Sequence, residues 1–118
     1  MVVYKIVRVE GNKLRSFSFS SDEDHSIEYK VGIKTFPKIG KLFAYNSFVN
    51  AVARSLSKSK FKIFKCEAEM SKEKISKITY AIDNDIRDFW LGLDTDLIDP
   101  PKGTIFCEHI MLLKELKY

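Results

Sequence analysis

Basic side chains interleaved with aromatic ones are the residues of this chain whose types and spacing best suit chemistry. Residues 58–65 read KSKFKIFK, and Arg54 lies about one helical turn before them. Lysine and arginine neutralise phosphates, and aromatic rings stack on unpaired bases, so this mixture is typical of surfaces that bind single-stranded nucleic acid. We therefore predict a binding site that consists of Arg54, Lys58, Lys60, Lys62 and Lys65.

The positions of these basic residues in the predicted elements indicate which of them suit a phosphate contact best. Lys62 and Lys65 are three residues apart in a run that predicts a strand, so they lie on opposite faces and at most one joins the same surface. Lys58 and Lys60 follow the end of a predicted helix, where positive charge also suits the helix dipole. We therefore rank the two helix-end lysines above the two strand lysines.

Charge is unevenly distributed around this site. Residues 34–77 contain eleven lysines and arginines against three glutamates, a net charge of +8, whereas residues 78–101 contain six aspartates against Arg87, a net charge of −5. The basic segment favours a nucleic acid or a host protein with an anionic surface as partner. The alternative is a solvated surface that the acidic segment covers, in the same chain or in a neighbouring subunit. If the acidic segment of one subunit covers the basic segment of another, the protein is an oligomer, and we predict the simplest one, a homodimer.

Other candidate sites fail on spacing. Residues 94–99, DTDLID, are similar to a calcium loop, but Asp99 and Ile105 occupy the positions of its required glycine and glutamate. Neither His25 nor His109 has a cysteine or a second histidine at metal-ligand spacing. No phosphate-binding glycine loop accompanies them. We therefore predict no catalytic residue, no metal and no cofactor, and a binding protein rather than an enzyme.

The two cysteines indicate a structural role. Cys66 and Cys107 each lie in an apolar, strand-like run, where a free thiol behaves as a small buried hydrophobic group. We predict two reduced core residues, with a disulfide between them as the alternative.

Length and hydropathy limit the class of protein. A chain of 118 residues is predicted to form one domain, residues 1–118, with a core that needs no disulfide. No apolar run approaches the ~20 residues of a membrane span, and Lys5 and Arg8 interrupt the apolar start, which excludes a signal peptide. We expect a cytoplasmic protein without membrane contact, in the host cytoplasm if it is viral.

Strands are predicted wherever β-branched and aromatic residues run together or alternate with polar ones. The predicted strands are 2–9, 13–20, 27–31, 42–45, 61–68 and 104–116. The last is expected as one bent or two short strands, with a helix over 108–117 as the alternative. Residues 32–40 and 92–103, which contain proline and glycine, are predicted to lack regular structure.

Two helices are predicted from apolar residues that recur at spacings of three and four. The first runs from Ser47 to Ser57, capped by Asn46 or Ser47, and the second from about 72 to 91. Together with the strands they predict an α+β fold, a largely antiparallel sheet of about six strands with two helices packed on it. The predicted core is Val3, Ile6, Val7, Phe17, Phe19, Val52, Leu56, Ile63, Phe64, Ile82, Ile86, Leu112 and Leu113.

Several segments, in order, resemble a family of small uncharacterised proteins of phages and prokaryotic genomes. These segments are YKIVR, IEYKVG, GKLFAYNSFVNAVA, IFKCE, DFW and PPKGT, which together span most of the chain. The resemblance implies a viral or prokaryotic origin and no particular activity.

The second half of the chain is also similar to the core of ADP-ribosyltransferases. In that core a serine-initiated helix feeds a strand of the form YEVE; here the helix is 47–57 and the strand reads FKIFKCEAE. The resemblance implies a nucleotide-handling enzyme, with Arg8 and Glu108 in the place of the family's first-strand residue and late glutamate. An enzyme of this kind requires Arg8, Glu108 and a tyrosine to converge in a deep cleft, whereas a binding protein requires a flat or grooved basic face.

Overall fold

The computed structural model describes residues 1–16, 27–37, 41–54, 60–72, 78–79, 97–98 and 102–117, and most of them lie in strands. The strands are β1 (Val2–Glu10), β2 (Lys13–Ser16), β3 (Glu28–Tyr29), β4 (Lys34–Thr35), β5 (Leu42–Tyr45), β6 (Phe61–Met70), β7 (Ile78–Thr79), β8 (Leu97–Ile98) and β9 (Thr104–Leu116). In this part of the chain one helix, α1 (Phe48–Arg54), separates β5 from β6. It is too short to cross a membrane, and the described residues contain no helix that is long and apolar enough to do so.

Four strands close into a barrel. β1 pairs with β5 and with β6, and β9 pairs with the same two strands, always antiparallel. β2 and β3 extend the sheet from β1, and β4 extends it from β9. The predicted α+β fold with two helices on an open sheet is therefore wrong, since the described residues form a mostly β structure with a closed four-stranded barrel and one short helix.

Alternation along β1 directs apolar side chains into two separate cores. Val3 and Val7 point into the barrel, whereas Ile6 points outward and packs with Ile63 beneath α1. All four are at most 1% exposed, and burying each such side chain contributes about 1.5–3 kcal/mol. The strand is therefore buried on both of its faces.

Helix α1 begins as the sequence predicts. The backbone N–H of Asn50 donates a hydrogen bond of 3.1 Å to Oγ of Ser47, which caps the first turn. Ala51 is fully buried and joins Ile6 and Ile63 in one cluster, which we call the outer core. Phe48 and Val52 pack against it. The described part of the helix reaches Arg54, and the remainder of its predicted length lies outside the described residues.

The second predicted helix is wrong where the structure describes it. Ile78–Thr79 pairs with Leu97–Ile98 in a two-stranded sheet, and the latter pair also lies in a segment predicted to lack regular structure. Isoleucines at spacings of three and four fit a helix, but isoleucine also favours strands, so the local pattern does not decide. The rest of that helix, with the predicted core residues Ile82 and Ile86, lies outside the described residues.

The end of the chain forms one long strand rather than a helix. The register between β6 and β9 shifts between Lys65 and Cys66 and again between Glu69 and Met70, which marks bulges that bend the pair. Lys114 pairs with Lys65 and Leu112 with Cys66, so Leu113 is the extra residue of the first bulge. Leu113 is 44% exposed, and its prediction as a core residue is wrong.

Most other predicted core residues in the described part of the chain are buried. These are Val3, Ile6, Val7, Ile63, Phe64 and Leu112, and Val52 is partly buried. Phe17, Phe19 and Leu56 lie outside the described residues.

The loop predicted after residue 31 contains a tight turn and a short strand. Gly32 has φ +80° and the N–H of Ile33 donates 3.2 Å to the carbonyl of Lys30, which is the geometry of a type II turn. The turn directs the chain into β4, which pairs with β9.

Candidate nucleic-acid interface

The structure describes four of the five basic residues that were predicted as one site. Arg54 is the last residue of α1, and Lys58 lies outside the described residues. Lys60 is exposed, and its carbonyl accepts a 2.7 Å hydrogen bond from Val9 at the far end of β1. Lys62 is held by an ion pair of 3.1 Å with Glu115. The two strand lysines therefore differ, because Lys62 forms an ion pair while Lys65 forms none with a described carboxylate.

A row of side chains crosses the four barrel strands on their outer face. Tyr45 of β5 lies opposite Tyr4 of β1, Tyr4 lies opposite Lys65 of β6, and Lys65 lies opposite Lys114 of β9. Neighbouring strands are ~4.8 Å apart, so the row spans about 14 Å. We call these four residues the Tyr–Lys row.

Positive charge in this row is not neutralised within the described part of the chain. Lys65 and Lys114 are both exposed, and neither makes an ion pair with a described carboxylate. The two nearest carboxylates have other partners: Glu67 binds the amino terminus, and Glu115 binds Lys117 and Lys62. The hydrogen bond from Lys117, followed by that from Lys62, lowers the pKa of Glu115.

The aromatic half of the row rests on the outer core. The ring of Tyr4 lies 6.3 Å from the ring of Phe48, at an angle of 58°. Tyr4 and Tyr45 are half-buried against this cluster, which fixes their rings while leaving part of each exposed. Of the aromatics predicted to stack on bases, Phe64 is only 5% exposed and Phe61 packs against the outer core.

Sequence reasoning missed Lys114, Tyr4 and Tyr45 for a physical reason. These residues join Lys65 only through the pairing of strands that are far apart in the chain, and local spacing carries no information about that pairing. The available signal was the alternation within each strand, which puts each residue on the face opposite to its apolar neighbours.

Arg8 and Glu108 do not converge. Arg8 lies opposite Phe61 at the start of β6, and Glu108 follows Cys107, which lies opposite Met70 at the end of β6. At ~3.3 Å per residue these ends are roughly 30 Å apart along the strand. Nε of Arg8 donates to Glu10, and Nζ of Lys41 donates 2.6 Å to Glu108. The cleft that the transferase-like alternative requires is therefore not formed by these two residues.

A lysine and two thiols share the interior of the barrel. Lys5 is 7% exposed, its Nζ donates a hydrogen bond to the carbonyl of Phe43, and it lies 5.4 Å from the centre of the Tyr29 ring. Burial lowers the pKa of Lys5 to about 8. Burial likewise raises the pKa of Cys66 to about 12 and that of Cys107 to about 11.

These thiols are free and buried, as predicted for core residues. A raised thiol pKa means that little reactive thiolate forms, so the interior group is structural rather than nucleophilic.

One histidine lies on the outer face next to a carboxylate. Nε2 of His109 is 3.2 Å from Glu69, and its ring lies 5.4 Å from that of Phe36. No group of three or more histidine, cysteine, aspartate or glutamate side chains suited to a metal occurs among the described residues. This pair therefore contributes a local contact and no metal centre there.

Comparison with known proteins yields no relative for this chain. No family model, no curated protein and no solved structure matches it. The resemblances drawn from the sequence stay predictions, and function has to be argued from the geometry of the described residues.

Proposed function

We propose that this protein binds single-stranded nucleic acid by contact, without catalysis, through the Tyr–Lys row. The observation that carries the proposal is the position of Lys65 directly opposite Lys114, with no described carboxylate paired to either. Two ammonium groups on adjacent strands provide a site for backbone phosphates, which bind lysine through charge. The neighbouring tyrosines offer ring faces on which unpaired bases stack.

The cost of this arrangement supports a functional role. Like charges directly opposite each other on a sheet are destabilising. An anion placed between Lys65 and Lys114 converts this repulsion into two favourable contacts. The row therefore has a physical reason to bind phosphate that an isolated exposed lysine lacks.

Single strands fit the row better than duplexes do. In a duplex the bases are stacked on each other and present only their edges, so Tyr4 and Tyr45 would have no ring to contact. In a single strand a base can leave its neighbours and stack on a tyrosine, which contributes ~1–3 kcal/mol. Backbone charge and stacking are both insensitive to base identity, so we expect weak sequence preference.

The test compares matched lysine variants. Fluorescence anisotropy at low salt with a labelled oligothymidylate should give at least about tenfold weaker binding for the double variant Lys65→Gln/Lys114→Gln than for the parent protein. Lys72→Gln removes an exposed lysine outside the row and should bind as the parent does. Equal affinity of the double variant and the parent would remove the row as the binding site. Binding of an acidic protein instead of any oligonucleotide would assign the row to protein contact.

A further inference from the structure

A second cationic site lies on the outer face of β1 and β2, apart from the Tyr–Lys row. Arg8 and Arg15 are directly opposite each other in the antiparallel pair. Among the described carboxylates one, Glu10, contacts both: Nε of Arg8 donates 2.9 Å to Oε1, and Nε of Arg15 lies 3.2 Å from Oε2. Two guanidinium groups are thus held side by side by one acidic group.

The charge in this cluster is not balanced by its ion pairs. Lys13, which lies opposite Glu10, is exposed and adds a third cation. Glu28 lies opposite Arg15 in the next strand, but no ion pair joins the two. The guanidinium groups of Arg8 and Arg15 therefore share one contacting carboxylate.

Burial strengthens the effect of the excess positive charge at Arg8 and Arg15. The side chains of Arg8 and Arg15 are only 12% and 21% exposed, so water screens them less than it screens a surface lysine. Nη2 of Arg8 lies 2.8 Å from Oε1 of Glu10 but is buried without an aligned hydrogen bond. Arginine presents five donors in a rigid fork, and most of those in this pair have no described acceptor.

We propose that Arg8 and Arg15 form a binding site for a phosphate group, with Glu10 as the positioning residue that orients both guanidinium groups. Planar forks match the oxygens of phosphate, which accept two parallel hydrogen bonds from each arginine. Phe61 lies directly opposite Arg8 in β6 and packs against the outer core. The ligand class is a phosphate dianion or phosphate monoester, because Arg8, Arg15 and Lys13 carry three positive charges against the one carboxylate of Glu10, a net charge of +2.

Isothermal titration calorimetry with inorganic phosphate in low-chloride buffer tests this site. The parent protein should bind, and Arg15→Lys, which keeps the charge but removes the fork, should bind about tenfold more weakly or worse. Lys72→Gln removes an exposed lysine outside both proposed sites and should leave phosphate binding unchanged. Absence of heat with the parent protein, or equal affinity of Arg15→Lys and the parent, would overturn the proposal.

A second measurement uses the parent protein alone, so it does not depend on the folding of a variant. Phenylglyoxal modifies accessible arginines, and mass spectrometry locates the modified residues. Phosphate should protect Arg15 from modification, while modification of Arg15 at an unchanged rate would count against the site.

A comparison of oligonucleotides distinguishes two sources of the phosphate group, the end of a nucleic-acid strand and a free phosphate compound. If the site takes the end of a strand, a 5′-phosphorylated oligonucleotide should bind more tightly than its 5′-hydroxyl form, and Arg15→Lys should abolish the difference. If the site takes free phosphate compounds, the two oligonucleotides should bind alike while inorganic phosphate still binds in an Arg15-dependent manner. The part of phosphate binding that depends on Arg15 should persist in the Lys65→Gln/Lys114→Gln variant, so the two proposals fail independently.

Discussion

At the scale of a single residue, the burial of Lys5 makes the folding stability of the protein depend on pH. The pKa of Lys5 in the folded protein is lowered to about 8 from the ordinary value of 10.5 because the ammonium group is desolvated inside the barrel. Between these two pH values the unfolded chain binds more protons than the folded one, so folding stability rises as the pH increases from 8.

The two interior thiols act in the opposite direction. The pKa values of Cys66 and Cys107 are raised to about 12 and about 11 from the ordinary value of 9.0, so above pH 9 the unfolded chain loses thiol protons that the folded protein keeps. Stability then falls with pH. We expect urea midpoints to rise from pH 8 to a maximum near pH 9 and to decline above it. A Cys66→Ala/Cys107→Ala variant should continue to rise toward pH 10.5, and a flat profile in both proteins would contradict the assignment.

Removing the buried charge should stabilise the fold at neutral pH. Methionine at position 5 keeps the unbranched shape and removes the desolvated ammonium, so Lys5→Met should increase the free energy of unfolding by about 1–3 kcal/mol at pH 7. Chemical denaturation measures the change, with the exposed Lys30→Met as a control of small effect. A strongly destabilised Lys5→Met protein would show that the hydrogen bond to Phe43 outweighs the desolvation of the amine.

β6 is the element on which the barrel depends, since it pairs with β1 along one edge and with β9 along the other. Ile63 is fully buried beneath α1, and Phe64 is 5% exposed inside the barrel, so the strand contributes to both cores. Ile63→Ala or Phe64→Ala should cost about 2–5 kcal/mol of unfolding free energy through lost burial and a cavity. Urea denaturation checks this, and unchanged midpoints in both variants would contradict the central position of β6.

Strands were more predictable from the sequence than the way they associate. Runs of β-branched and aromatic residues located β1, β5, β6 and β9, because such side chains favour strands. Closure of the barrel was not predictable, because β5 pairs with both β1 and β9 and neither pairing leaves a local signal. Leu113 was misassigned because a bulge interrupts the alternation next to Leu112.

At the scale of the whole molecule, the net charge of +4 conceals two segments of opposite charge. Residues 34–77 carry a net charge of +8 and residues 78–101 a net charge of −5, which motivates the proposal of a homodimer in which these segments pair between subunits. Light scattering at low salt should then give twice the monomer mass of 13.7 kDa, with dissociation as salt screens the contact. A monomer over a wide concentration range at low salt would end this proposal.

The salt dependence of oligonucleotide binding tests the central claim, that Lys65 and Lys114 contact backbone phosphates. For a single strand each neutralised phosphate contributes about −0.7 to the slope of log affinity against log salt concentration, because counterions are released. Replacing both lysines with glutamine should therefore flatten the slope by about 1.4, equally for oligonucleotides of different sequence. Identical slopes for the parent protein and the double variant would contradict the claim, as would the absence of oligonucleotide binding at low salt.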